Sequence, residues 1–596
     1  MRHPIEKKSK TNITLGMLII TVILLVSTLA SVPPTSRDAL VHHLSVPKIY
    51  LRHSGIYEIP SMDFSYFPMN LDLLYLIPLY FNQPIAAKYI HFFFALLTAW
   101  LIFTFLKKYL NSTYGLLGAL FFLTIPIIVK LSVTVYVDLG LIFFSWASLF
   151  HLLRWHDTHF RTRHLVFSAV FCGLALGTKY NGLILILIMV ALVPLLYSIK
   201  TNSTITAGDL RQRYGNSIKG LGWGLAFVII SLIVFSPWMI RNTIWKQNPV
   251  YPLFKSVFDQ TKKEISTDVD KKKRPPHNAF WTRRYVYKES FNETVLIPIR
   301  AFFQGQDDSP KYFDGVLNPA LLLFPIAAFW GIKRNKAVST SHTDRNILAL
   351  FSFLFMTIVL FKVDFRIRYM APAIPPLVVL SIIGLKKLFD ITSQKTFFPP
   401  RLVKGVVTSL VLIAFSFNAV YIYNQFDYIR PMDYIAGKID RDAYIARYRI
   451  EHPAVVYANK NLPNNARVLC LSIGKRTFYV ERDVHLALDF YNRNKEELTE
   501  LTILKRLKRY GTTHILINRN SYSRRTRHFE PVEIAVLDKV LKDHTSLLYE
   551  ENGVQLLEID EVKPAMIYEG VDIKRIDAER ILFKPATSRD TNLCVS

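Results

Sequence analysis

A polar stretch near the start of the chain, TSRDALVHHLSVPKIYLRHSGIYEIP at 35–60, carries side chains that could do chemistry. Asp38 could accept a proton from a substrate hydroxyl, and His42 and His43 follow it closely. Moving a group from a phosphate carrier to a hydroxyl requires a base for the hydroxyl and cations for the leaving phosphate. Asp38 meets the first requirement, and partial desolvation at a bilayer boundary is expected to raise its pKa.

The element that must position this stretch is an apolar run directly before it. Residues 13–31 contain no charge over 19 positions, enough for a helix to cross roughly 30 Å of hydrocarbon. A signal peptide is the competing interpretation, because the basic start MRHPIEKKSK precedes the run. The apolar part is long for such a signal, and no clear small-x-small cleavage site follows it.

Further apolar blocks predict a polytopic α-helical membrane protein with about 11 transmembrane helices. The chain has 596 residues, of which 51% are hydrophobic. After the first helix we predict spans near 85–106, 116–131, 138–154, 164–178, 182–198, 221–238, 316–332, 346–362, 371–388 and 403–422. The pair 164–178 and 182–198 is interrupted only by TKYNG, and fusing the two would give ten helices.

Basic residues predict the orientation, because short cytoplasmic loops are enriched in Lys and Arg. With eleven helices, every short loop on the side of the N-terminus is basic, and with ten this agreement fails after residue 198. We therefore expect a multi-pass protein of the cell (inner) membrane, with a cytoplasmic N-terminus and an extracytoplasmic C-terminus. Residues 1–422 would form the transmembrane domain and 423–596 a soluble extracytoplasmic domain.

The tail has the pattern of an α/β domain. A buried strand is predicted at 467–472, and an amphipathic helix closed by Gly511 precedes a second strand at 513–518. No G-x-G-x-x-G follows a strand, so nucleotide binding is unsupported.

Charge and cysteine content exclude several classes of protein. The net charge of +28 comes partly from the basic loops and partly from the run DKKKRPPHNAFWTRRYVYK at 270–288, which would attract lipid phosphate or an acidic glycan. Nucleic acid is a poor partner across a membrane, and no nucleic-acid motif occurs. Cys172, Cys470 and Cys594 lie far apart, without metal or redox spacing.

Several stretches resemble one family. RDALVHHLSVPKIYLRHSGIYEIP followed by DFSYFPMNLDLLYLIPLYF is similar to the first outer loop of polyprenyl-phosphate-dependent membrane glycosyltransferases with the GT-C fold, the relatives of protein O-mannosyltransferases and the lipid A aminoarabinose transferase. Further resemblance lies at YVDLGLIFF, GLALGTKYNGLI, SPWMIRNTIWKQNPVYPLF and RIRYMAPAIPPL. The motifs follow in the family's order over most of the chain, but they do not specify the sugar.

The resemblance implies that Asp38 is the catalytic base of an inverting transfer from a polyprenyl-phosphate-linked sugar to a glycan, lipid or protein acceptor. The transfer would be either metal-independent or assisted by a divalent cation. Two departures from the family pattern occur: His42 replaces the usual Tyr, and Ala39 stands where the transferases usually have Glu. A metal-binding role that needs the second carboxylate is therefore in doubt.

Each candidate also has a simpler interpretation. Asp38 and Asp138 could only cap helices, and His43 could lie at the interface without a substrate. Lys179 lies in an apolar stretch, where a charge is costly and often functional, although it could also extend to the interface. Arg241 could anchor to lipid headgroups. One of Arg366 and Arg368 is expected to bind phosphate, and the match at RYMAP favours Arg368.

Two other functions remain open. A transporter or flippase for lipid-linked glycans would show internal repeats and charges near the bilayer midplane, and this chain shows neither. A non-catalytic assembly protein would use the outer domain to bind a glycan, and it would keep its function without Asp38.

Overall fold

The computed structural model describes residues 10–203, 205, 209–258, 279–329, 342–361, 365–391, 399–486, 490, 497–527 and 529–560. The chain forms two compact units: 1–460 with 473–481, and 461–472 with 482–596. The basic run at 270–277, part of the predicted loop at 362–370 and Cys594 lie outside the described residues. The expectation that the soluble domain begins at residue 423 stays a prediction.

The first unit is helical. Its longer helices are Lys10–Ala30, Ala86–Tyr109, Ser112–Thr124, Pro126–Ser132, Asp138–Asp157, Thr162–Leu176, Gly182–Asn202, Leu210–Lys246, Ala320–Ala327, His342–Leu360, Ile374–Ile391, Pro400–Ile429, Arg441–Tyr448 and His452–Asn461. Short helical segments include Ala39–His43, Ser45–Arg52, Asn70–Leu74, Leu76–Tyr80, Phe291–Val295 and Ile367–Met370.

Seven of the described helices are long and apolar enough to cross a membrane, and an eighth span arises if one bent pair is counted. That pair, Ser112–Thr124 and Pro126–Ser132, bends by 66°. Pro126 lacks the N–H that would continue the first helix, and it disfavours helical backbone at Ile125, which explains the break. The predicted polytopic fold is confirmed, while the count of eleven is not. Thr162–Leu176 is short at 15 residues, and Ala320–Ala327 covers only part of the predicted 316–332 span.

The TKYNG interruption separates two helices rather than lying within one. Thr162–Leu176 ends before Gly177, and the next helix begins at Gly182. Residues 177–181 form the turn between them, which places Lys179 at an end of the helical bundle. The core of this unit is a continuous cluster of aliphatic and aromatic side chains from these helices, with Trp146, Trp155 and Phe122 among its largest fully buried members.

The second unit is a small α/β fold. Its five strands are β1 Arg467–Leu471, β2 Asp483–Leu486, β3 His514–Asn518, β4 Thr545–Glu551 and β5 Val554–Ile559, in the order β2-β1-β3-β5-β4. Strands β2, β1 and β3 are parallel, with Leu469 opposite Ile515, whereas β5 runs antiparallel to both β3 and β4. The helices Glu500–Arg509, Arg519–Thr526 and Pro531–Asp543 complete this unit. The predicted helix closed by Gly511 is present, and Gly511 has φ +60°, which favours glycine.

Candidate active site

An ion pair joins Asp38 to Arg368 across 330 residues of sequence. An Arg368 Nη1–H donates to Asp38 Oδ2 at 2.6 Å. Asp38 precedes the helical segment Ala39–His43, but its side chain makes no capping hydrogen bond there. The alternative that Asp38 only caps a helix therefore has no hydrogen bond to support it.

Charge around Asp38 opposes the effect of burial. Burial alone would raise the pKa of Asp38, but the Arg368 guanidinium and the nearby histidines outweigh it and hold the pKa well below its usual value. The predicted net rise of this pKa is wrong: desolvation acts in the predicted direction, but a cation that the sequence did not show lies 2.6 Å from the carboxylate and outweighs it. Asp38 is consequently ionised, and able to accept a proton, at neutral pH.

A second ion pair lies between the predicted residues Lys179 and Asp138. Lys179 Nζ donates to Asp138 Oδ1 at 2.7 Å. Asp138 is the first residue of the helix Asp138–Asp157 and is 1% exposed, and its Oδ2 has no hydrogen-bond partner among the described residues. Lys179 thus neutralises a buried carboxylate, so its cation is held inside the protein.

Tyr369 connects the two ion pairs, and Tyr136 makes a second aromatic contact with Arg368. The Arg368 guanidinium lies 5.2 Å from the ring centre of Tyr136 and 5.3 Å from that of Tyr369. Lys179 Nζ lies 5.4 Å from the ring centre of Tyr369. Cation–π contacts at these distances hold both cations against one aromatic wall. We call Asp38, Asp138, Lys179 and Arg368 the charge cluster.

The predicted His43 has a carboxylate partner that the sequence analysis missed. Its Nδ1 lies 2.7 Å from Asp72 Oδ1, and both side chains are almost fully buried. Burial lowers the pKa of His43 to about 3 and raises that of Asp72 to about 7. The imidazole is therefore neutral under ordinary conditions. Its neighbour His42 stacks on Phe64, with ring centres 4.3 Å apart.

Asn70 holds the segment that carries Asp72 against the turn that carries Lys179. Its backbone amide donates to Gly177 O at 2.8 Å, and its Nδ2 donates to Leu174 O at 3.2 Å. Trp238 Nε1 donates to Asn70 Oδ1 at 2.8 Å. An added Cβ on Gly177 would lie 2.2 Å from Asn70 Nδ2, so this contact requires glycine.

The other two predicted arginines make their contacts away from the charge cluster. Arg241 Nη2 donates to Phe67 O at 3.1 Å and to Asn242 Oδ1 at 2.9 Å. The first bond fixes the segment SYFP at 65–68 to the helix Leu210–Lys246. Arg366 pairs with Asp314 at 3.0 Å. The structure therefore brings five of the predicted residues together (Asp38, His43, Asp138, Lys179 and Arg368) and gives Arg241 and Arg366 other partners.

Two cavities are lined in part by residues that precede or follow Asp38 along the chain. One, of about 890 Å³, is lined by Lys48, Tyr50 and Arg52 after Asp38 and by Arg441 and Lys460 from later helices, among others.

The other cavity, of about 650 Å³, is lined by Thr35, Ser36 and Arg37 before Asp38, and by Tyr136, whose ring contacts Arg368. Lys88, Lys130 and Arg449 also line it. Carboxylates line both cavities as well, Asp442 and Glu481 in the first and Asp307 and Asp308, which pair with Lys130, in the second. Both cavities therefore combine charged side chains of both signs with apolar and aromatic ones, which suits a ligand with a polar and an apolar part.

Asp72, Tyr136 and Tyr369 were missed, although each had a signal. Asp72 is a lone acid in the apolar run NLDLLYLIP, where a charge calls for a partner. Tyr136 and Tyr369 stand inside the motifs YVDLG and RYMAP, beside predicted site residues.

The family and structural comparisons agree with this fold. Residues 81–240 match the family model described as dolichyl-phosphate-mannose-protein mannosyltransferase. No curated protein matches the sequence.

Crystal structures of ArnT from Cupriavidus metallidurans have the same fold at 12% identity. The apo structure gives a TM-score of 0.56, covering 91% of this chain and 98% of ArnT. The complex with undecaprenyl phosphate gives 0.55, covering 92% and 98%. The Archaeoglobus fulgidus oligosaccharyltransferase with a tethered acceptor peptide gives 0.50 at 10% identity, covering 84% and 69%. The predicted resemblance to GT-C proteins is thereby confirmed.

Proposed function

We propose that this chain is a membrane glycosyltransferase that moves a sugar from a polyprenyl-phosphate carrier to an acceptor hydroxyl, with Asp38 as the general base. The observation that carries the proposal is the charge cluster, in which an ionised carboxylate lies 2.6 Å from a cation. The mannosyltransferase match over 81–240 and the fold shared with ArnT support the same class of reaction.

In the proposed reaction, the acceptor oxygen attacks the anomeric carbon of the sugar while the bond from that carbon to the phosphate oxygen breaks. The hydroxyl proton passes to a carboxylate oxygen of Asp38, and the phosphate leaves with the bonding electrons. Arg368 and Lys179 stabilise the negative charge that develops on the phosphate. A single displacement of this kind inverts the configuration at the anomeric carbon.

Because of its ion pair with Arg368, the Asp38 carboxylate would be a weaker base before the donor binds and a stronger base afterwards. Without donor, the guanidinium holds the pKa of Asp38 well below its usual value, so the carboxylate is a weak base. A donor phosphate beside Arg368 would compete for the same N–H donors and partly neutralise the cation. The pKa of Asp38 would then rise, because burial remains while the opposing charge is reduced. Donor binding would thus activate the base.

We assign the carrier phosphate to the cavity beside Tyr136 and the acceptor to the larger cavity. The first combines Lys88 and Arg449 with Tyr136, which touches Arg368, whereas its Lys130 already pairs with Asp307 and Asp308. The second is lined by Lys48, Arg52, Arg441 and Lys460 together with Asp442 and Glu481, so its cations outnumber its carboxylates and would favour an acidic acceptor.

The test is turnover of a panel of radiolabelled polyprenyl-phosphate sugars by purified protein in lipid nanodiscs, supplied with total envelope lipid and glycan as acceptor. Asp38→Asn keeps the shape but cannot accept the proton, and loss of a general base costs about 10²–10⁴-fold in rate. Asp63→Asn is the matched control, because Asp63 lies in the same segment with its side chain 63% exposed. Full activity of folded Asp38→Asn would refute the assignment. Movement of the labelled carrier across the bilayer of proteoliposomes, without transfer, would favour a flippase.

A further inference from the structure

A second cluster of titratable side chains lies at the far end of the helix that begins with Asp138. His156 and Asp157 are the last two residues of that helix, and Asp344 lies in the first turn of His342–Leu360. At 1.5 Å per residue, the 20-residue helix puts this cluster about 28 Å from Asp138. It is therefore outside the proposed active site.

The geometry of this cluster matches three ligands around one point. His156 Nδ1 lies 3.9 Å from Asp157 Oδ1 and 4.0 Å from Asp344 Oδ1, too far for hydrogen bonds. All three ligand atoms lie within 4.8 Å of one another. Three atoms between 3.9 and 4.8 Å apart leave a central point about 2.3–2.5 Å from each, slightly longer than zinc–ligand distances of about 2.0–2.2 Å.

The buried polar atoms facing this point lack partners. Asp344 is 0% exposed, and its Oδ1 has no hydrogen-bond partner within the described part of the chain. The same holds for His156 Nδ1, on a side chain that is 9% exposed. An unpaired buried carboxylate oxygen is costly, so a ligand at the central point would satisfy two atoms that the protein leaves unsatisfied.

A hydrogen bond beside the cluster points to excess negative charge. The Tyr109 hydroxyl lies 2.5 Å from Asp157 Oδ2 and 2.9 Å from Asp344 Oδ2, yet it has only one proton to donate. Lys108 Nζ, 2.6 Å from Asp157 Oδ2, offsets one of the two carboxylates. Lys200 donates to the backbone carbonyl of His156 rather than to either carboxylate. Among the described residues, Lys108 is thus the only lysine or arginine with a charged contact to either carboxylate, and that contact is to Asp157.

We infer that His156, Asp157 and Asp344 form a binding site for a divalent transition-metal ion of the Zn²⁺ type. One imidazole and two carboxylates are ligands that zinc accepts, and water would complete the coordination. The bound ion would join the end of Asp138–Asp157 to the start of His342–Leu360. This site is independent of the proposed glycosyl transfer, and its role is to hold two helices together.

The experiment measures zinc in the full-length protein in detergent. The protein is stripped with a chelator, incubated with zinc and desalted, and its metal is counted by mass spectrometry. We expect one zinc per chain, a higher thermal midpoint with zinc than without, and an X-ray absorption spectrum with nitrogen and oxygen ligands and no sulfur. His156→Gln and Asp344→Asn should each reduce zinc to background and abolish the shift in midpoint.

Asp390→Asn is the matched control, because Asp390 is a helical carboxylate whose side chain is 44% exposed and pairs with Lys386. It should retain one zinc. The inference is wrong if the unaltered protein retains no zinc, or if both variants bind as much zinc as the control. Two variants and the absorption spectrum keep the test decisive even if one variant fails to fold. No transfer assay enters the result, so it is separate from the test of Asp38.

Discussion

The backbone amide of Asn70 donates to the carbonyl of Gly177 at 2.8 Å, and this bond joins two parts of the candidate site that are 107 residues apart. Asn70 and Asp72 lie in one short helix, and Gly177 and Lys179 lie in the turn formed by residues 177–181. This bond, together with the donation from Asn70 Nδ2 to Leu174 O, therefore ties the segment that carries Asp72 to the turn that carries Lys179.

Gly177→Ala should disturb this contact and lower both stability and turnover. The added Cβ would lie 2.2 Å from Asn70 Nδ2, and overpacking of this kind costs about 1–3 kcal/mol. Thermal unfolding and transfer assays in nanodiscs measure the two effects. Gly222→Ala is the control, because a Cβ there meets nothing within 4 Å. Equal behaviour of the two variants would show that the contact is not critical.

Removing Arg368 should weaken donor binding and alter the pH profile. Loss of a charge-assisted hydrogen bond to phosphate is worth roughly 1.5–3 kcal/mol, or about ten- to hundred-fold in affinity. Without the guanidinium, burial raises the pKa of Asp38, so the acid limb of kcat/KM should move to higher pH in Arg368→Ala. The unaltered protein should keep its activity well below pH 7. An unchanged acid limb would show that Asp38 does not control it.

Lys179→Met should destabilise the protein by leaving Asp138 buried and unpaired. Breaking a buried ion pair in this way costs about 3–5 kcal/mol. In the double variant Lys179→Met with Asp138→Asn, no buried charge remains unpaired, so most of the stability should return. If Lys179 also binds the donor phosphate, donor affinity should stay low in the double variant. Recovery of both stability and donor affinity in the double variant would show that Lys179 has only a structural role.

The His43–Asp72 pair should make stability respond to pH in a specific way. Asp72 has its pKa raised from 3.8 to about 7, so its contribution to stability is lost as the pH rises across that range. His43 has its pKa lowered from 6.5 to about 3, so its contribution increases as the pH rises from 3 to 6.5. Between pH 4 and 6.5 the two contributions offset each other.

The substitution Asp72→Asn removes the contribution of Asp72 to this pH dependence. Its thermal midpoint should rise more steeply from pH 4 to 6.5 than that of the unaltered protein, because His43 remains. The measurement is a series of thermal scans at fixed salt, with Asp63→Asn as the exposed control. Parallel curves for all three proteins would contradict the opposed shifts.

The sequence was sufficient for the fold class because long apolar runs and alternating strand patterns are local properties. It also identified five residues that converge, since Asp38, Asp138, Lys179 and Arg368 are charges beside apolar segments and His43 lies near Asp38. It could not predict which of them pair. The contact between Asp38 and Arg368 spans 330 residues and depends on helix packing, which also determines the direction of the pKa shift at Asp38.

Arg241 and Arg366 show the limit of the same reasoning. Both end or follow apolar segments, as Lys179 does, yet they contact Phe67 and Asp314 respectively. The grouping of His156, Asp157 and Asp344 was missed because Asp344 is almost two hundred residues from the other two, and spacing along the chain carries no signal of that kind. A search for ligand spacing along the sequence therefore does not detect metal ligands that only folding brings together.

The helix Asp138–Asp157 has a carboxylate at each end, and the helix macrodipole treats them differently. Negative charge at the first turn is favoured, whereas at the last turn it is disfavoured, by about 0.3–1 kcal/mol in exposed cases. Asp138 therefore agrees with the dipole, and Asp157 opposes it. A divalent cation held between Asp157 and Asp344 would neutralise both carboxylates and so remove that unfavourable term. Occupancy of the metal site would thereby make the helix that supports Asp138 less prone to fray.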